Sequence, residues 1–225
     1  MSPDEGNGGV SADEWEEAYL RFETPAEEIA KFTSRLKQLG AGDWPRDAAI
    51  TELFCGRGNG LRALARLGFT RVEGVDLSPR LLAQCPRQFP CLNADCRQLP
   101  FADASKDILI VQGGLHHLEA LPDDLDRVLS ESARVLREGG RLAIVEPCLT
   151  PYLTVVHAMC RVRLARRYWR KLDALGTMIE HEGATYEQWL AHPRLVLDLL
   201  NRHFAAEHSS TRWGKLWFRG RKRTL

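Results

Sequence analysis

The chain has no long apolar run. No stretch of about 18 consecutive apolar residues occurs in its 225 residues, so the sequence predicts no membrane-spanning helix. The first residues, Met1 to Gly6, are acidic instead of basic and then apolar, so they lack the pattern of a secretory signal peptide. We therefore expect a cytoplasmic protein.

Paired cysteines are also absent. The six cysteines, at positions 55, 85, 91, 96, 148 and 160, include no C-x-x-C pair and match no zinc-binding spacing. The sequence therefore predicts no metal site, and a chain of this length can bury a core without disulfides. We expect these cysteines to be small buried apolar residues, although Cys55 and Cys148 could also belong to a thiol-rich site for a soft substrate.

Charge is balanced overall but not along the chain. The formal net charge is +1, yet residues 151–225 hold 14 Lys and Arg against 6 Asp and Glu, whereas residues 1–150 hold 17 against 24. The basic C-terminal part could favour an acidic substrate, a phosphate-bearing partner or a membrane surface. It could equally complement the acidic part of the same domain.

A glycine-rich turn is the most informative feature that the sequence does contain. Ile50 to Cys55 can form a buried strand, and Gly56, Gly58 and Gly60 follow it, before a predicted helix from Leu61 to Leu67. Glycines remove the β-carbons at the turn, so the backbone can approach a ligand, and the free N–H groups of the helix face that ligand. This arrangement is typical of a nucleotide-cofactor site.

An acid at the end of the next strand supports this interpretation. Asp76 lies 20 residues after Gly56, where a carboxylate can accept hydrogen bonds from both ribose hydroxyls. A nicotinamide-dinucleotide site would need a third glycine at the position of Leu61. Leu61 therefore argues against a nicotinamide cofactor.

Several segments together resemble a known enzyme family. Glu52, Gly56 and Gly58 are similar to motif I of class I S-adenosylmethionine (SAM) dependent methyltransferases. Three further segments are similar to the family in chain order: Asn93-Ala-Asp95-Cys96 at the end of a third strand, Asp107 to Gln112 as a fourth strand, and the loop Gly113-Gly-Leu-His-His117. Val135 to Val145 is similar to motif III, in which Gly139-Gly140 would cap a helix before a fifth strand. The resemblance covers Ala49 to Pro147 and points to the type-11 methyltransferases, a broad group that includes enzymes of quinone biosynthesis and other small-molecule methyltransferases.

This resemblance implies an α/β fold with a doubly wound, mostly parallel seven-stranded sheet of the Rossmann-like type, and the alternation of strands and helices agrees with it. In such a sheet, ligands bind beyond the carboxyl ends of the strands. We expect a single domain in five parts: disordered residues 1–10, N-terminal cap helices 11–40, a cofactor-binding core 49–147, a helical lid 151–203 after the fifth strand, and a closing β-hairpin 204–223.

The resemblance also implies the cofactor, SAM, and its binding residues. Asp76 would bind the ribose, Asp95 would face the adenine amino group, and Gln112 would lie beside the sulfonium. Phe54 departs from the family, which usually has a glycine there, and its ring could reshape the wall near the methionine moiety or point into the core. The full predicted set is Glu52, Phe54, Gly56, Gly58, Asp76, Leu77, Asp95, Cys96, Gln112 and Gly113.

Methyl transfer from a sulfonium is an in-line displacement, so the enzyme mainly has to orient the acceptor and exclude water. A general base is needed only where the acceptor has a proton to lose. His116, His117 and Glu146 are the candidate catalytic groups, although each could be merely structural. Tyr19 and Phe22 are candidates for contacting the acceptor, as are His117 and Glu146, and both aromatic rings could instead be ordinary core.

Local signals define helices outside the resembling segment. Thr24-Pro-Ala-Glu27 is a capping box that begins a helix over Pro25 to Leu39, after a first helix over Asp13 to Phe22. Ser78-Pro79 begins a further helix that ends at Pro86, and Glu187 to His203 is predicted as one helix.

The predicted lid is rich in arginine. A solvated basic face is the simplest interpretation, and the alternatives are recognition of an anionic acceptor, contact with a membrane surface, and nucleic-acid binding, which no RNA-binding motif supports. The cations are Arg161, Arg163, Arg166, Arg167, Arg170 and Lys171, and they accompany an apolar stripe of Tyr152, Val155, Val156, Met159 and Val162.

The sequence thus predicts an enzyme that transfers a methyl group from SAM to a small-molecule acceptor, which could be anionic. Two other classes remain open. One is a non-catalytic SAM-binding protein, and the other, less favoured, is a nicotinamide-dependent oxidoreductase. No nucleic-acid partner is expected.

Overall fold

The computed structural model describes residues 12–223, with side chains from Glu17 onward, so the prediction for residues 1–10 lies outside the described residues. The protein is built on a seven-stranded sheet in the order β3-β2-β1-β4-β5-β7-β6. The first five strands are parallel, and β7 is antiparallel to both β5 and β6, which confirms the predicted sheet. The strands are β1 Ala49–Leu53, β2 Arg71–Asp76, β3 Cys91–Asn93, β4 Lys106–Gln112, β5 Leu136–Pro147, β6 Phe204–Arg212 and β7 Lys215–Lys222.

Helices precede, connect and follow the parallel strands. The predicted capping box is present, because the Thr24 hydroxyl accepts from the Glu27 N–H while the Glu27 side chain accepts from the Thr24 N–H. The helices are α1 Ala12–Phe22, α2 Pro25–Gln38, α3 Asn59–Arg66, α4 Pro79–Leu82, α5 Asp123–Val135, α6 Pro151–Cys160, α7 Arg163–Tyr168, α8 Arg170–Ala191 and α9 Pro193–His203.

The core lies on both faces of the sheet. Strand β4 shows this most clearly, since Leu109 and Val111 pack in one buried cluster with α5 and α9, whereas Ile108 and Ile110 pack in the other with α2 and α3. A strand that is covered on both faces carries a continuous apolar run instead of alternating polar positions. Burying the central strands in this way fixes their carboxyl ends at one edge of the domain.

Three predicted boundaries were wrong. Gly139 and Gly140 do not cap a helix: α5 ends at Val135, and both glycines lie inside β5, where Gly139 has a φ of 72°. The predicted helix from Glu187 to His203 is divided at Pro193, because proline lacks the N–H that would continue the preceding helix. The helix after Ser78 has only four residues instead of extending to Pro86.

The segment after β5 is helical, and its predicted role as a lid stays a prediction. Helices α6 to α9 occupy it, and α8 packs against both α1 and α6. In the part of the chain that the structure describes, no helix combines the length and apolar character needed to cross a membrane.

Candidate active site

A cleft of about 690 Å³ opens at the carboxyl ends of the parallel strands, between the sheet, α1, α2, α6 and α8. It brings together nearly all of the residues that the sequence predicts to bind the cofactor, contact the acceptor or act in catalysis. Only two of them, Gly58 and Glu146, are not part of its wall. Predicted residues that line it are Tyr19, Phe22, Glu52, Phe54, Gly56, Asp76, Leu77, Asp95, Cys96, Gln112, Gly113, His116 and His117.

The turn after β1 is held by the acid after β2. Phe54, Gly56 and Gly58 all have positive φ angles of 57°, 50° and 74°. The Asp76 carboxylate accepts a hydrogen bond from the Gly56 N–H at 2.8 Å and another from the Ser78 N–H at 2.8 Å. Each oxygen retains a further lone pair. Asp76 therefore fixes the shape of the turn and can still accept a ligand hydroxyl.

Gly58 supports the turn from behind. A β-carbon at this position would lie 2.5 Å from the Cys85 Sγ, and the φ of 74° also favours glycine. The Cys85 and Cys91 sulfurs are 2.9 Å apart beside it. Burial raises the pKa of Cys85, so this thiol stays protonated at neutral pH.

Glu52 is a buried acid directly beneath the start of α3. A β-carbon on Gly60 would lie 1.8 Å from Glu52 Oε1, so this position needs glycine because the carboxyl group occupies the space. The Gln112 amide donates to Oε1 at 3.3 Å, while Glu52 Oε2 and Gln112 Oε1 have no hydrogen-bond partner. Burial raises the pKa of Glu52 to about 8, against the opposing effect of the hydrogen bond from Gln112.

Asp95 and Cys96 line the cleft beyond β3. The Asp95 carboxylate accepts three hydrogen bonds from the Arg97 side chain, at 2.7–3.1 Å, and one from the Arg97 N–H. Hydrogen bonds from Arg97 hold the pKa of Asp95 below its ordinary value. Arg97 also pairs with Asp124 at 3.0 Å. The loop after β3 is thus braced by an Asp-Arg-Asp network that sequence reasoning missed.

Phe54 serves both of the roles that the sequence left open. Its ring lines the cleft and also packs against the core cluster on one face of the sheet. A β-carbon on Gly114 would lie 2.3–2.6 Å from Phe54 side-chain atoms. The bulky residue at the usual glycine position is therefore matched by a glycine on the loop that follows β4.

The two histidines occupy different environments. His116 is buried, with Nδ1 2.8 Å from Glu146 Oε2 and Nε2 3.6 Å from Glu182 Oε2. The His117 ring lies 4.1 Å from it between centroids, tilted by 39°, and the residue is exposed at the open part of the cleft. Desolvation of the ring by the cleft wall and the neighbouring His116 lower the pKa of His117, so its ring is neutral at pH 7.

Glu146 lies behind His116 and does not contact the cleft. Its Oε1 accepts from the N–H groups of Gly114 and Leu115 at 2.7 and 2.9 Å, and its Oε2 bonds His116. Burial alone would raise its pKa, but the hydrogen bonds from His116, Gly114 and Leu115 hold it below the ordinary value. Both oxygens are engaged, so the geometry does not support the predicted direct contact of Glu146 with an acceptor.

Helices α1 and α2 are tied to the start of α3 by a buried acid. Glu28 accepts hydrogen bonds from the Tyr19 hydroxyl and, at 2.6 Å, from the Asn59 amide. Burial and the adjacent Glu28 raise the pKa of Tyr19, which keeps its hydroxyl protonated. The sequence predicted Tyr19 but not Glu28 or Asn59, since only the tertiary structure brings three helices together here.

The sequence also missed a group of cations on the cleft wall, Lys31, Arg35 and Lys215. Lys31 pairs with Glu23, and the Arg35 guanidinium lies 5.6 Å from the Phe32 ring centroid. Burial lowers the pKa of Lys215 to about 7, and the positive charge of Arg35 adds to this effect. Lys31 and Arg35 share one face of α2, but no sequence motif connects them with Lys215, which lies on β7 far along the chain.

One cluster among residues 17–223 has the composition of a metal site. His116, His117 and Glu182 each place a potential ligand atom within 4.8 Å of the others. The predicted absence of a metal site came from the cysteine spacing, and the sequence carried no signal for this cluster, because Glu182 lies on α8, remote in sequence from the histidines. The contacts of His116 with Glu146 and Glu182 hold these side chains together.

The fold and the cleft agree with the resemblance that the sequence shows. A doubly wound sheet, a left-handed turn after β1, an acid after β2 and a second acid after β3 are the features that a resemblance to class I SAM-dependent methyltransferases implies. The family model described as a methyltransferase domain matches residues 52–144. The resemblance inferred from the sequence is therefore confirmed for this segment.

Curated relatives agree with this assignment. The chain is 30% identical over 107 residues to a demethylmenaquinone methyltransferase of Chlorobaculum parvum, covering 46% of this chain and 43% of the relative. It is 30% identical over 134 residues to the 27-O-demethylrifamycin SV methyltransferase of Amycolatopsis mediterranei, covering 55% and 48%. The chain thus spans less than half the length of these two relatives.

Solved structures show the same fold over nearly the whole chain. A protein from Pyrococcus horikoshii superposes with a TM-score of 0.69 at 18% identity, and the match covers 96% of this chain and 100% of that protein. Geranyl diphosphate C-methyltransferase from Streptomyces coelicolor superposes with a TM-score of 0.61 at 15% identity, covering 97% and 86%. Because these identities are low, the likeness establishes the fold and not the substrate.

Proposed function

We propose that this chain is an enzyme that transfers a methyl group from SAM to a small-molecule acceptor. One observation carries the proposal: the left-handed turn after β1 and the acids Asp76 and Asp95 line a single large cleft, in a segment that matches a methyltransferase domain. The two curated relatives described above support the proposal, because both are named as methyltransferases of small molecules.

The residues present fit SAM. Glu52 Oε2 and Gln112 Oε1 are buried oxygens without a partner, and both residues line the cleft next to the turn. The ammonium group of the methionine moiety would favour the ionised form of Glu52, which can then accept from it, whereas Asp76 retains lone pairs for the ribose hydroxyls. SAM supplies a methyl group activated by its sulfonium.

The chain's own residues then orient the acceptor and exclude water. Tyr19 and Phe22 from α1 would cover the cleft, and orientation of this kind contributes roughly 7–11 kcal/mol in favourable cases. His117 would orient the acceptor through a hydrogen bond from its neutral ring, since a pKa lowered to about 3 makes it a weak base. We assign Glu146 a positioning role, since it holds His116 and the loop after β4 without reaching the cleft.

We propose further that the acceptor carries an anionic group. Arg35 and Lys215 line the cleft, and neither forms an ion pair with a residue that the structure describes. Both are partly buried, and no carboxylate among the described residues contacts either of them directly, so an anionic ligand would be attracted to this part of the wall. This local feature is a stronger argument for an anionic acceptor than the arginines of the lid, several of which point to solvent.

Calorimetric titration with SAM, S-adenosylhomocysteine and NAD tests the cofactor assignment. We expect binding of the first two and none of NAD. Asp76→Ala should weaken SAM binding by about 1.5–3 kcal/mol, because it removes hydrogen bonds to a charged group. Asp47→Ala, at an exposed acid away from the cleft, is the matched control. Unchanged affinity in Asp76→Ala would refute the ribose assignment.

A methyl-transfer screen with labelled SAM tests the acceptor. Carboxylic acids and phosphates would be compared with their neutral esters, and we expect only the anions to be methylated efficiently. Arg35→Met should raise the acceptor KM, while Lys37→Met, an exposed cation on the same helix, should not. SAM binding without turnover of any acceptor would favour the non-catalytic alternative, and preference for the esters would refute the anionic group.

A further inference from the structure

Exposed apolar side chains are concentrated in one region of the surface. Of the eleven large hydrophobic residues that are exposed in the described part of the chain, eight lie on the segment after β5 or at the tip of the β6–β7 hairpin. Their exposed fractions range from 49% to 79%. We call them the lid patch: Leu149, Tyr152, Val155, Val162, Leu164, Tyr168, Trp169 and Trp213.

The lid patch spans neighbouring elements. Tyr152 and Val155 are three residues apart on α6, and Leu164 and Tyr168 are four apart on α7, so each pair lies on one helix face. Helices α6 and α7 pack against one another. The Trp213 ring meets Tyr152 edge-on at 5.4 Å, which joins the hairpin tip to the patch.

Unpaired positive charge accompanies this apolar surface. Residues 151–171 include six Lys and Arg and no Asp or Glu. Two of these cations are neutralised, because Arg166 pairs with Asp173 at 2.9 Å and Lys171 with Glu27 at 3.0 Å. The other four are exposed and form no ion pair with a described residue: Arg161, Arg163, Arg167 and Arg170.

We propose that the lid patch docks on the surface of an anionic phospholipid bilayer. Aromatic and aliphatic side chains interleaved with arginine match the boundary between lipid headgroups and acyl chains, where rings insert and cations meet lipid phosphates. A cluster of eight exposed large apolar side chains on a protein surface marks an interaction site. The helices would lie on the membrane, since none of the described helices can span it.

Two other occupants fit less well. A second copy of the chain would bring four unpaired arginines close to the same four in a symmetric dimer, and like charges repel. A nucleic acid would satisfy the arginines, but Val155, Val162 and Leu164 would gain nothing from phosphates or bases.

The patch also borders the candidate active site. Tyr152 and Trp213 belong to the lid patch and line the cleft as well. Docking would therefore place the mouth of the cleft at the membrane surface. The docking proposal itself does not depend on methyl transfer, so either can fail without the other.

Sedimentation with sucrose-loaded vesicles tests the proposal. We expect the full chain to pellet with vesicles of phosphatidylcholine and phosphatidylglycerol, to stay in solution with phosphatidylcholine alone, and to be released by high salt. The double variant Arg163→Glu and Arg167→Glu should bind the anionic vesicles roughly 10-fold more weakly or worse. Leu164→Ser with Tyr168→Ser should also lose binding, although no charge has changed.

The matched control reverses two exposed cations elsewhere, Lys37→Glu and Arg66→Glu, and should bind like the wild type. Equal loss in this control would reduce the effect to net charge and overturn the proposal. So would failure of the wild type to pellet with any vesicle. A dimer that the Leu164→Ser and Tyr168→Ser variant abolishes, or capture of an oligonucleotide without vesicle binding, would assign the patch to another occupant and overturn it too.

Discussion

Replacing Glu52 with glutamine should stabilise the ligand-free protein, and increasingly so as the pH rises. Glu52 is only 2% exposed, and burial raises its pKa from an ordinary 4.5 to about 8. Between these two values the folded protein holds a proton that the unfolded chain has released, so stability falls as pH rises. The loss begins near pH 4.5 and is complete above about pH 8.

The size of the effect follows from the width of that interval. Each pH unit within it costs about 1.36 kcal/mol. From pH 4.5 to pH 7 the loss is about 3 kcal/mol, and at the upper limit near pH 8 it approaches about 5 kcal/mol. Because the side chain is fully buried, solvent screening does not reduce this figure appreciably. Glu52→Gln keeps the shape of the side chain and an oxygen that can accept from Gln112, but it cannot ionise.

Urea denaturation of the wild type and of Glu52→Gln would measure this at about pH 5, 7 and 8.5. The variant should gain little at the lowest pH, about 3 kcal/mol at pH 7, and more at the highest. Glu187→Gln, at an exposed acid on α8, should show no such trend. A stability difference between Glu52→Gln and the wild type that is the same at all three pH values would refute the reasoning.

Three further outcomes are expected. Gly114→Ala should lower the free energy of unfolding by about 1–3 kcal/mol in urea denaturation, because the new methyl group would lie 2.3–2.6 Å from Phe54 side-chain atoms. In a double-mutant cycle, Phe54→Gly should relieve part of that loss. Strictly additive effects of the two substitutions would contradict the clash. Glu146→Gln should destabilise by about 1–3 kcal/mol at pH 7, since a single amide oxygen cannot accept from both the loop N–H groups and His116. Because the pKa of Glu146 is lowered, its contribution is lost as pH falls, so the two proteins should converge in acid titration. Affinity for an anionic acceptor should fall as pH rises past about 7, where Lys215 loses its proton. Lys215→Arg should extend binding to higher pH. A wild-type affinity that does not change across that range would count against Lys215 as a binding group for the anion.

The sequence predicted which strand-end residues meet in the cleft because this part of its wall is built from local segments. The turn with Gly56 and the acids Asp76 and Asp95 each follow a strand directly, and the carboxyl ends of parallel strands meet at one edge of a sheet. Recognising the strands was therefore enough to bring these residues together. What it left out was how the acids are held, since Asp76 is engaged by backbone N–H groups and Asp95 by Arg97.

Element boundaries were less predictable where two local signals competed. Gly139 and Gly140 look like a helix cap, but β5 pairs with β4 at Leu136 before them and again from Arg141 after them, with a register shift between, so the strand continues across them. Pro193 lies inside an apolar helical pattern, and the missing N–H rather than the pattern decides that α8 ends there.

The sequence by itself determined the fold class, the cofactor turn and its acids, because each depends on a short run of residues and on rules that hold for every parallel sheet. Only the tertiary structure decided the acceptor side. Glu146 became a buried support of His116, and Lys215, Arg35 and Glu182 joined the cleft from elements distant in the chain. Such contacts depend on how helices pack over the sheet, and packing is set by shape and burial of the whole domain instead of by any local pattern.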